Sequence, residues 1–364
     1  MPIKEVQIKP AWTFCDERGR QLEPQLFNLL RGVHEFGKLT AAAKQVGISY
    51  RHAWNLLNKW TDFFGAELVI LQKGKGAWLS PLGEKLLWAE QRVSARLEPQ
   101  LKNLASELNL EIRKTLEENN PVIRIHASHG YAVALLPEHN DGFQIDLQYM
   151  SAVDALASLG RGQCDIAGFH LPVKHLSEAL FHTYSQFIKK DHYQVIRFIT
   201  RQQGLIVAAG NPLGIKGFQD LIREDVTFIN REKGSGSRAL LDELLCRSAI
   251  SPEQINGFNA EEFTHSAIAA YVAAGMADTG FGVEAAAARF GLDFIPVEQE
   301  NYLLVCHQDF LQGLAMERFQ AMLAHADFIA AIEALPGYRA EGCGDVIDID
   351  TLWASSDRQA SKVV

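Results

Sequence analysis

Residues 225–245 read DVTFINREKGSGSRALLDELL. DVTFIN has the β-branched and aromatic content of a short strand, the leucines of RALLDELL recur at helical spacing, and a polar glycine-serine loop lies between them. Strand, loop and helix in that order are the unit of an α/β sheet, whose ligands sit at the carboxyl ends of the strands. Ser235, Gly236 and Ser237 offer hydroxyls and backbone N–H groups where the helix begins, and Arg238 adds a planar positive fork. The loop is therefore suited to an anion. The alternative is a capping loop whose Arg238 pairs with Asp242 or Glu243 one turn on. Nucleotide chemistry is disfavoured, because neither G-x-x-x-x-G-K-[ST] nor G-x-G-x-x-G is present.

The same rhythm recurs on both sides of this stretch. VIRIHAS (122–128) runs into His129-Gly130 and an apolar helix, IDLQYMS (145–151) runs into AVDALASLGRG, and CDIAGFHL (164–171) supplies a third strand. Ser128 and Ser151 fall at strand ends, each before a helix; each fits an N-cap, and two on adjacent strands also fit one shared crevice. Further on, GLIVAAGNPLGIKGFQDL and ADTGFGVEAAAARFG repeat strand, glycine turn and helix. Thr264 can cap the helix SAIAAYVAAG with His265 beside it, and Tyr302 lies on a strand returning towards the first of two lobes. His265 can donate to an anion and Tyr302 can reach the cleft between lobes; the alternatives are His265 as a local structural partner and Tyr302 as a packed ring. No G-x-S-x-G, H-E-x-x-H or meaningful Cys/His spacing signals a hydrolase or metalloenzyme.

The first 118 residues have a different texture. LEPQLFNLLRGVHEFG (22–37) is an amphipathic helix stopped by Gly37. In LTAAAKQVGISYRHAWNLLNKWTDFFG (39–65) Thr40 can cap a short helix, Gly47 makes the turn, and Ser49 can cap a longer helix to about Phe64. Two helices joined by such a turn form a helix-turn-helix. Ala53, Leu56, Leu57 and Trp60 make the apolar face, which leaves Tyr50, Arg51, His52, Asn55 and Lys59 to meet phosphates and base edges, or simply solvent. Two β-prone pieces, 68–71 and 77–80, flank the basic tip QKGKG, where Lys73 and Lys75 suit the DNA backbone. Pro81 then opens a helix of about 25 residues or more, and its stripe of leucines calls for a partner.

Composition agrees with this division. Residues 1–118 hold 17 Lys and Arg against 14 Asp and Glu, a balance of +3; the remainder holds 18 against 30, or −12. Only the head is expected to meet a polyanion. With 47% apolar residues and no run of about 18 of them, the chain reads as globular, without a membrane span. The start, MPIKEVQIKPAW, lacks a secretory layout, and five scattered cysteines give neither a disulfide framework nor a zinc site, so a cytoplasmic location is expected.

The stretch GKLTAAAKQVGISYRHAWNLLNKWTDFFGAELVILQKGKGAWLSPLGEKLL (37–87) resembles the winged helix of the molybdate-responsive ModE regulators and, more loosely, of LysR-type regulators. From about Val122 to Phe328 the chain resembles the type II periplasmic-binding-protein-like domain fused to such heads, in MSAVDALASLGRGQCDIAGFHLP, QGLIVAAGNPLGI, FINREKGSGSRALLDELL and EEFTHSAIAAYVAAGMADTGFGVEAAA. The resemblance implies an α/β chain in three parts: a winged helix-turn-helix (1–80), a dimerising linker helix (81–118) and a sensing body (119–364) with lobes 119–203 plus 305–364, and 204–304. It also implies a homodimer or higher homo-oligomer on a double-stranded DNA operator. The implied effector is a small oxyanion, molybdate or tungstate, held by Ser128, Ser151, Ser235, Gly236, Ser237, Arg238 and Thr264, with no catalysis, metal or covalent cofactor. HASHG stands where relatives usually have a G-S-H-type turn. The rival reading is an enzyme or carrier for an anionic metabolite or a molybdenum-cofactor precursor.

Overall fold

The computed structural model describes residues 6–15, 17, 19, 25–72, 74–115, 120–140, 142–173, 178–189 and 191–349. It divides into two compact units, Lys9–Leu97, and Met1–Ile8 with Glu98–Val364.

In the first unit, α1 (Leu26–Phe36), α2 (Leu39–Val46) and α3 (Tyr50–Phe64) precede a hairpin of β1 (Val69–Gln72) and β2 (Gly76–Leu79). Leu26, Leu29, Leu30 and Val33 of α1 are buried against Ala42 and Ala43 of α2 and Ala53, Leu56, Leu57 and Trp60 of α3. Each such leucine contributes roughly 1.5–3 kcal/mol. Gly37 and Gly47 adopt the left-handed conformation that ends α1 and α2, and the Ser49 hydroxyl accepts from the His52 N–H at the start of α3. Thr40 does not cap α2: the helix begins one residue earlier, with Lys38 extended before it and Leu39 drawn into the core. β2 lies against the end of α1, where Ala77 N–H donates to the Gly37 carbonyl at 2.9 Å, so a Cβ at Gly76 would strike that carbonyl. A contribution absent from the helical pattern comes from residues 9–15, where Trp12 and Phe14 cover the core. Phe14 meets Trp60 edge-on at 5.0 Å and packs against Phe27, Phe63 and Phe64.

The helix α4 (Pro81–Thr115) runs for 35 residues and carries Pro99, which lacks the N–H of an interior helical bond, beside the unit boundary at Leu97 and Glu98. Leu104 and Leu108 of its second half are 53% and 42% exposed. The same half docks on its own unit. Asn103 bonds both backbone groups of Tyr149, accepting from its N–H at 2.7 Å and donating to its carbonyl at 3.1 Å, and Ser106 donates to Asp146.

The second unit continues with β3 (Val122–Ala127), α5 (Tyr131–Leu135), β4 (Gln144–Tyr149), α6 (Ala152–Gly160), β5 (Ile166–Pro172), α7 (Glu178–Ser185) and the long β6 (Tyr193–Val207). There follow β7 (Phe228–Arg231), α8 (Gly236–Arg247), β8 (Glu261–Glu262), α9 (His265–Ala273), β9 (Thr279–Val283), α10 (Glu284–Arg289) and a second long strand, β10 (Asp293–His307). α11 (Leu314–Leu323), α12 (Ala326–Glu333), β11 (Tyr338–Arg339) and β12 (Val346–Ile347) complete it. The strands lie in the order β4-β3-β5-β10-β6-β9-β7-β8, with β11 and β12 also on β6. β3, β4 and β5 are parallel, as are β7, β8 and β9, so the expected β-α-β rhythm is present in each lobe.

Between these parallel groups run β6 and β10, 15 residues each and mutually antiparallel. β10 pairs with β5 of the first lobe from Glu300 to Cys306, whereas β6 pairs with β9 of the second lobe from Gln203 to Val207. Both strands therefore pass between lobes near residues 201–203 and 298–300. The return crossing expected at 304–305 lies earlier, because Glu300 is already in register with Pro172 of the first lobe. No helix among the described residues is long and apolar enough to cross a membrane.

Candidate functional site in the interlobe cleft

The two crossing strands bring charge to the middle of the body. Arg201 of β6 and Glu300 of β10 form a buried pair, with Nε and Nη2 both 2.7 Å from Glu300 Oε2. Gln203 donates through Nε2 to the same oxygen at 2.8 Å and to the Ser237 hydroxyl of α8 at 2.9 Å. Burial works to lower the proton affinity of Arg201, but Glu300 outweighs it and the net direction is up. Burial likewise works to raise the Glu300 pKa, and the charge of Arg201 with the hydrogen bonds from Gln203 and Arg201 reverses it. The hub is a closed ion pair that links the hinge strands to the start of α8.

The starts of three helices converge on this hub. Tyr131, first in α5, hydrogen-bonds Ser266 of α9 at 2.6 Å, and His265, first in α9, lies 3.4 Å from the hydroxyl of Ser237, second in α8. The oriented N–H groups of these turns favour negative charge. His170 enters from β5, its Nε2 3.8 Å from Glu300 Oε1 and its ring beside Tyr302 at 5.8 Å. His129, after β3, packs on Tyr149 at 4.8 Å. Burial, foremost, holds all three imidazoles neutral: His129 and His170 are pushed down to about 4, and His265 lies well below its ordinary value with Arg231 and Arg201 beside it.

Arg231 has no such closure. It ends β7 at 7% exposure, donates from Nη2 to the Phe263 carbonyl at 2.9 Å, and leaves Nε buried without a partner among the described residues. Burial pushes it down to about 10, Arg201 adds repulsion, and Glu232 and Glu300 compensate only in part.

Residues 133–324 match the PBP superfamily domain. This chain belongs to the PBP superfamily. It is 34% identical over 200 residues to YvgK of Bacillus subtilis (strain 168), an overlap of 55% of this chain and 64% of that protein. It is 30% identical over 105 residues to the molybdenum-pterin-binding protein MopB of Rhodobacter capsulatus, covering 28% of this chain and 39% of MopB. This PBP-superfamily chain thus spans less than two thirds of both relatives. A Clostridium pasteurianum protein encoded in the 5′ region of a 2Fe-2S ferredoxin gene is 31% identical over 109 residues, covering 96% of its own length. Among solved structures, a hydrogen peroxide-bound cysteine-to-serine mutant of Corynebacterium glutamicum OxyR aligns over 85% of this chain and 92% of its own at 15% identity and a TM-score of 0.43. Full-length BenM gives the same identity and score over 87% and 99%. CbnR, a LysR family transcriptional regulator, aligns over 83% and 99% at 15% identity and a TM-score of 0.39.

Within the PBP-superfamily body the expected ligand residues part company. Gly236, Ser237, His265 and Tyr302 lie at the hub, Tyr302 being buried with its hydroxyl on the Ser128 carbonyl at 3.1 Å and its ring beneath Arg201 at 5.4 Å. Ser128 joins this cluster through that carbonyl. Ser151, by contrast, caps α6, accepting from the Asp154 N–H and donating to the Asp154 carboxylate. Ser235 caps α8 through the Arg238 N–H, and Thr264 caps α9 through that of Ala267. Arg238 is bound to Asp242 at 2.9 Å and Glu261 at 3.2 Å and stacks over Phe258 at 4.3 Å, so its charge is neutralised within its own lobe. Arg231, seven residues earlier in the same quoted stretch, has no such ion pair among the described residues. Arg201, Gln203, Glu300 and His170 were missed as well. Polar residues inside long strands were the available signal, since such positions are unsuited to burial unless paired. Among the described residues no group of three or more His, Cys, Asp or Glu could hold a metal ion.

In the head unit, Tyr50, Arg51, His52, Asn55 and Lys59 are on the outer side of α3, all exposed, and Lys75 is exposed at the hairpin turn. Lys73 lies outside the described residues. The Ser49 hydroxyl is engaged in the cap of α3.

Proposed function

We propose that this chain is a one-component DNA-binding transcriptional regulator whose body senses a small anion between its lobes. The reading is carried by Arg231, a buried guanidinium with no ion pair among the described residues, set beside the converging starts of α8 and α9. The proposed anion is molybdate, tungstate or a molybdenum-related metabolite, and MopB's name supports that choice. Arg231, Ser237 and His265 would contact it. The set contains donors and no paired acid and base, which suits binding without turnover.

The head would enter the major groove with Tyr50, Arg51, His52, Asn55 and Lys59 of α3, with Ser49 setting the helix start and Lys73 and Lys75 on the backbone. A homodimer in the cytoplasm would place two such helices on inverted half-sites. Anion binding changes the balance between two lobe arrangements, and α4, which begins in the head and ends in the body, carries the difference. The test is selection of the full-length chain on random duplex DNA with and without molybdate, tungstate, sulfate or phosphate. A sequence family enriched, with affinity changed by one of these anions, is expected; no enrichment, or enrichment indifferent to all four, overturns the proposal.

A further inference from the structure

His170 stands in an unusual place. It is 3% exposed within β5, every residue of which is buried, and neither ring nitrogen has a hydrogen-bond partner among the described residues. Its ring is pressed against Gly236, the first residue of the 12-residue α8 in the opposite lobe, so closely that a Cβ on Gly236 would collide with the imidazole. The N–H groups of Gly236 and Ser237, the first two of that helix, donate to nothing among the described residues. The ring sits against the first residue of α8, beside these donors, and accepts from neither of them.

That contact distinguishes two roles. A side chain that helped to hold the anion would stand off from the helix start by the width of a ligand atom. His170 leaves no such gap, so the imidazole and an anion cannot occupy the start of α8 together. The ring is also uncharged, because burial and the neighbouring Arg201 outweigh Glu300, and a neutral ring is tolerated at the positive end of a helix where an imidazolium is not.

Resting on the anion reading of the cleft, we propose that His170 is a latch: its imidazole fills the start of α8 across the cleft, and an incoming anion displaces it. Ligand binding then separates β5 from α8, and regulation follows from exchanging one occupant for the other. Gly236 is glycine because the latch seats on its bare Cα.

The test uses full-length protein with His170→Ala and Gly236→Ala, molybdate and tungstate as probes, and hydrogen exchange of residues 166–172 and 236–241. A latch taxes affinity by the fraction of time it is open, so His170→Ala is expected to bind the probe about tenfold tighter or more, corresponding to a competent state populated about one part in ten. Weaker binding by His170→Ala makes the residue a ligand and overturns the latch. Without any anion, both variants are expected to exchange faster in the two segments; protection unchanged in both overturns it independently. If neither probe binds wild type or His170→Ala, the anion reading falls, and the exchange measurement still decides the latch. Should Gly236→Ala fail to fold, His170→Ala alone carries both measurements.

Discussion

Replacing Arg231 with methionine tests the centre of the site through stability as well as binding. Burial and Arg201 push the guanidinium down to about 10, a loss of roughly two and a half decades of proton affinity. At 1.36 kcal/mol per decade, the charge costs the empty folded chain about 3 kcal/mol at neutral pH. Because the folded value lies below the unfolded one, that cost is in full force below about pH 10 and is relieved only as the pH rises through it. Methionine keeps length and apolar contact, removes the charge, and loses the bond to the Phe263 carbonyl, worth about 1 kcal/mol. The anion-free variant is therefore expected to be more stable than wild type by about 2 kcal/mol in urea unfolding at pH 7. With molybdate or tungstate at a hundred times Kd the order reverses: wild type gains about 2.7 kcal/mol and the variant nothing. A variant less stable than wild type without anion, and still stabilised by it, would refute the assignment of Arg231 as the receptor.

Other perturbations report on neighbouring parts. Glu300→Gln leaves Arg201 buried without its countercharge and is expected to cost about 3–5 kcal/mol of unfolding free energy, far more than an exposed ion pair; a loss under 1 kcal/mol removes the hub from the account. His129 and His170, held at about 4 by burial, bind fewer protons folded than unfolded, so their contribution is present above pH 6.5 and lost as the pH falls towards 4, about 3 kcal/mol for each. Unfolding free energies that stay level between pH 6.5 and 4.5 contradict this. In the head, Arg51→Ala and Asn55→Ala are expected to weaken binding to the selected duplex by about 1–3 kcal/mol while leaving anion affinity alone, and Arg51→Ala should also lower the salt slope by about one. Equal loss of both activities would mean that the two modules are not separable.

The sequence by itself determined the elements. Gly37 and Gly47 have left-handed backbones, Ser49 caps its own helix, and the leucines of α1 repeat every third or fourth residue; all are signals read within one or two turns of chain. The strand-loop-helix order of 225–245 was legible for the same reason, as was the pairing of Arg238 with Asp242, four residues on. What tertiary structure decided is which charges face the cleft. Glu261 and Phe258, which with Asp242 hold Arg238 inside its own lobe, lie 23 and 20 residues beyond it, and Arg201 meets Glu300 only through the antiparallel register of β6 and β10, 99 residues apart. Trp12 and Phe14 likewise reach the head core from outside any periodic pattern. A local sequence window specifies backbone conformation because its causes are local sterics and hydrogen bonds; compensation of a buried charge depends on residues brought close by the sheet, and that distinguishes Arg231, at the end of β7, from Arg238, in the first turn of α8.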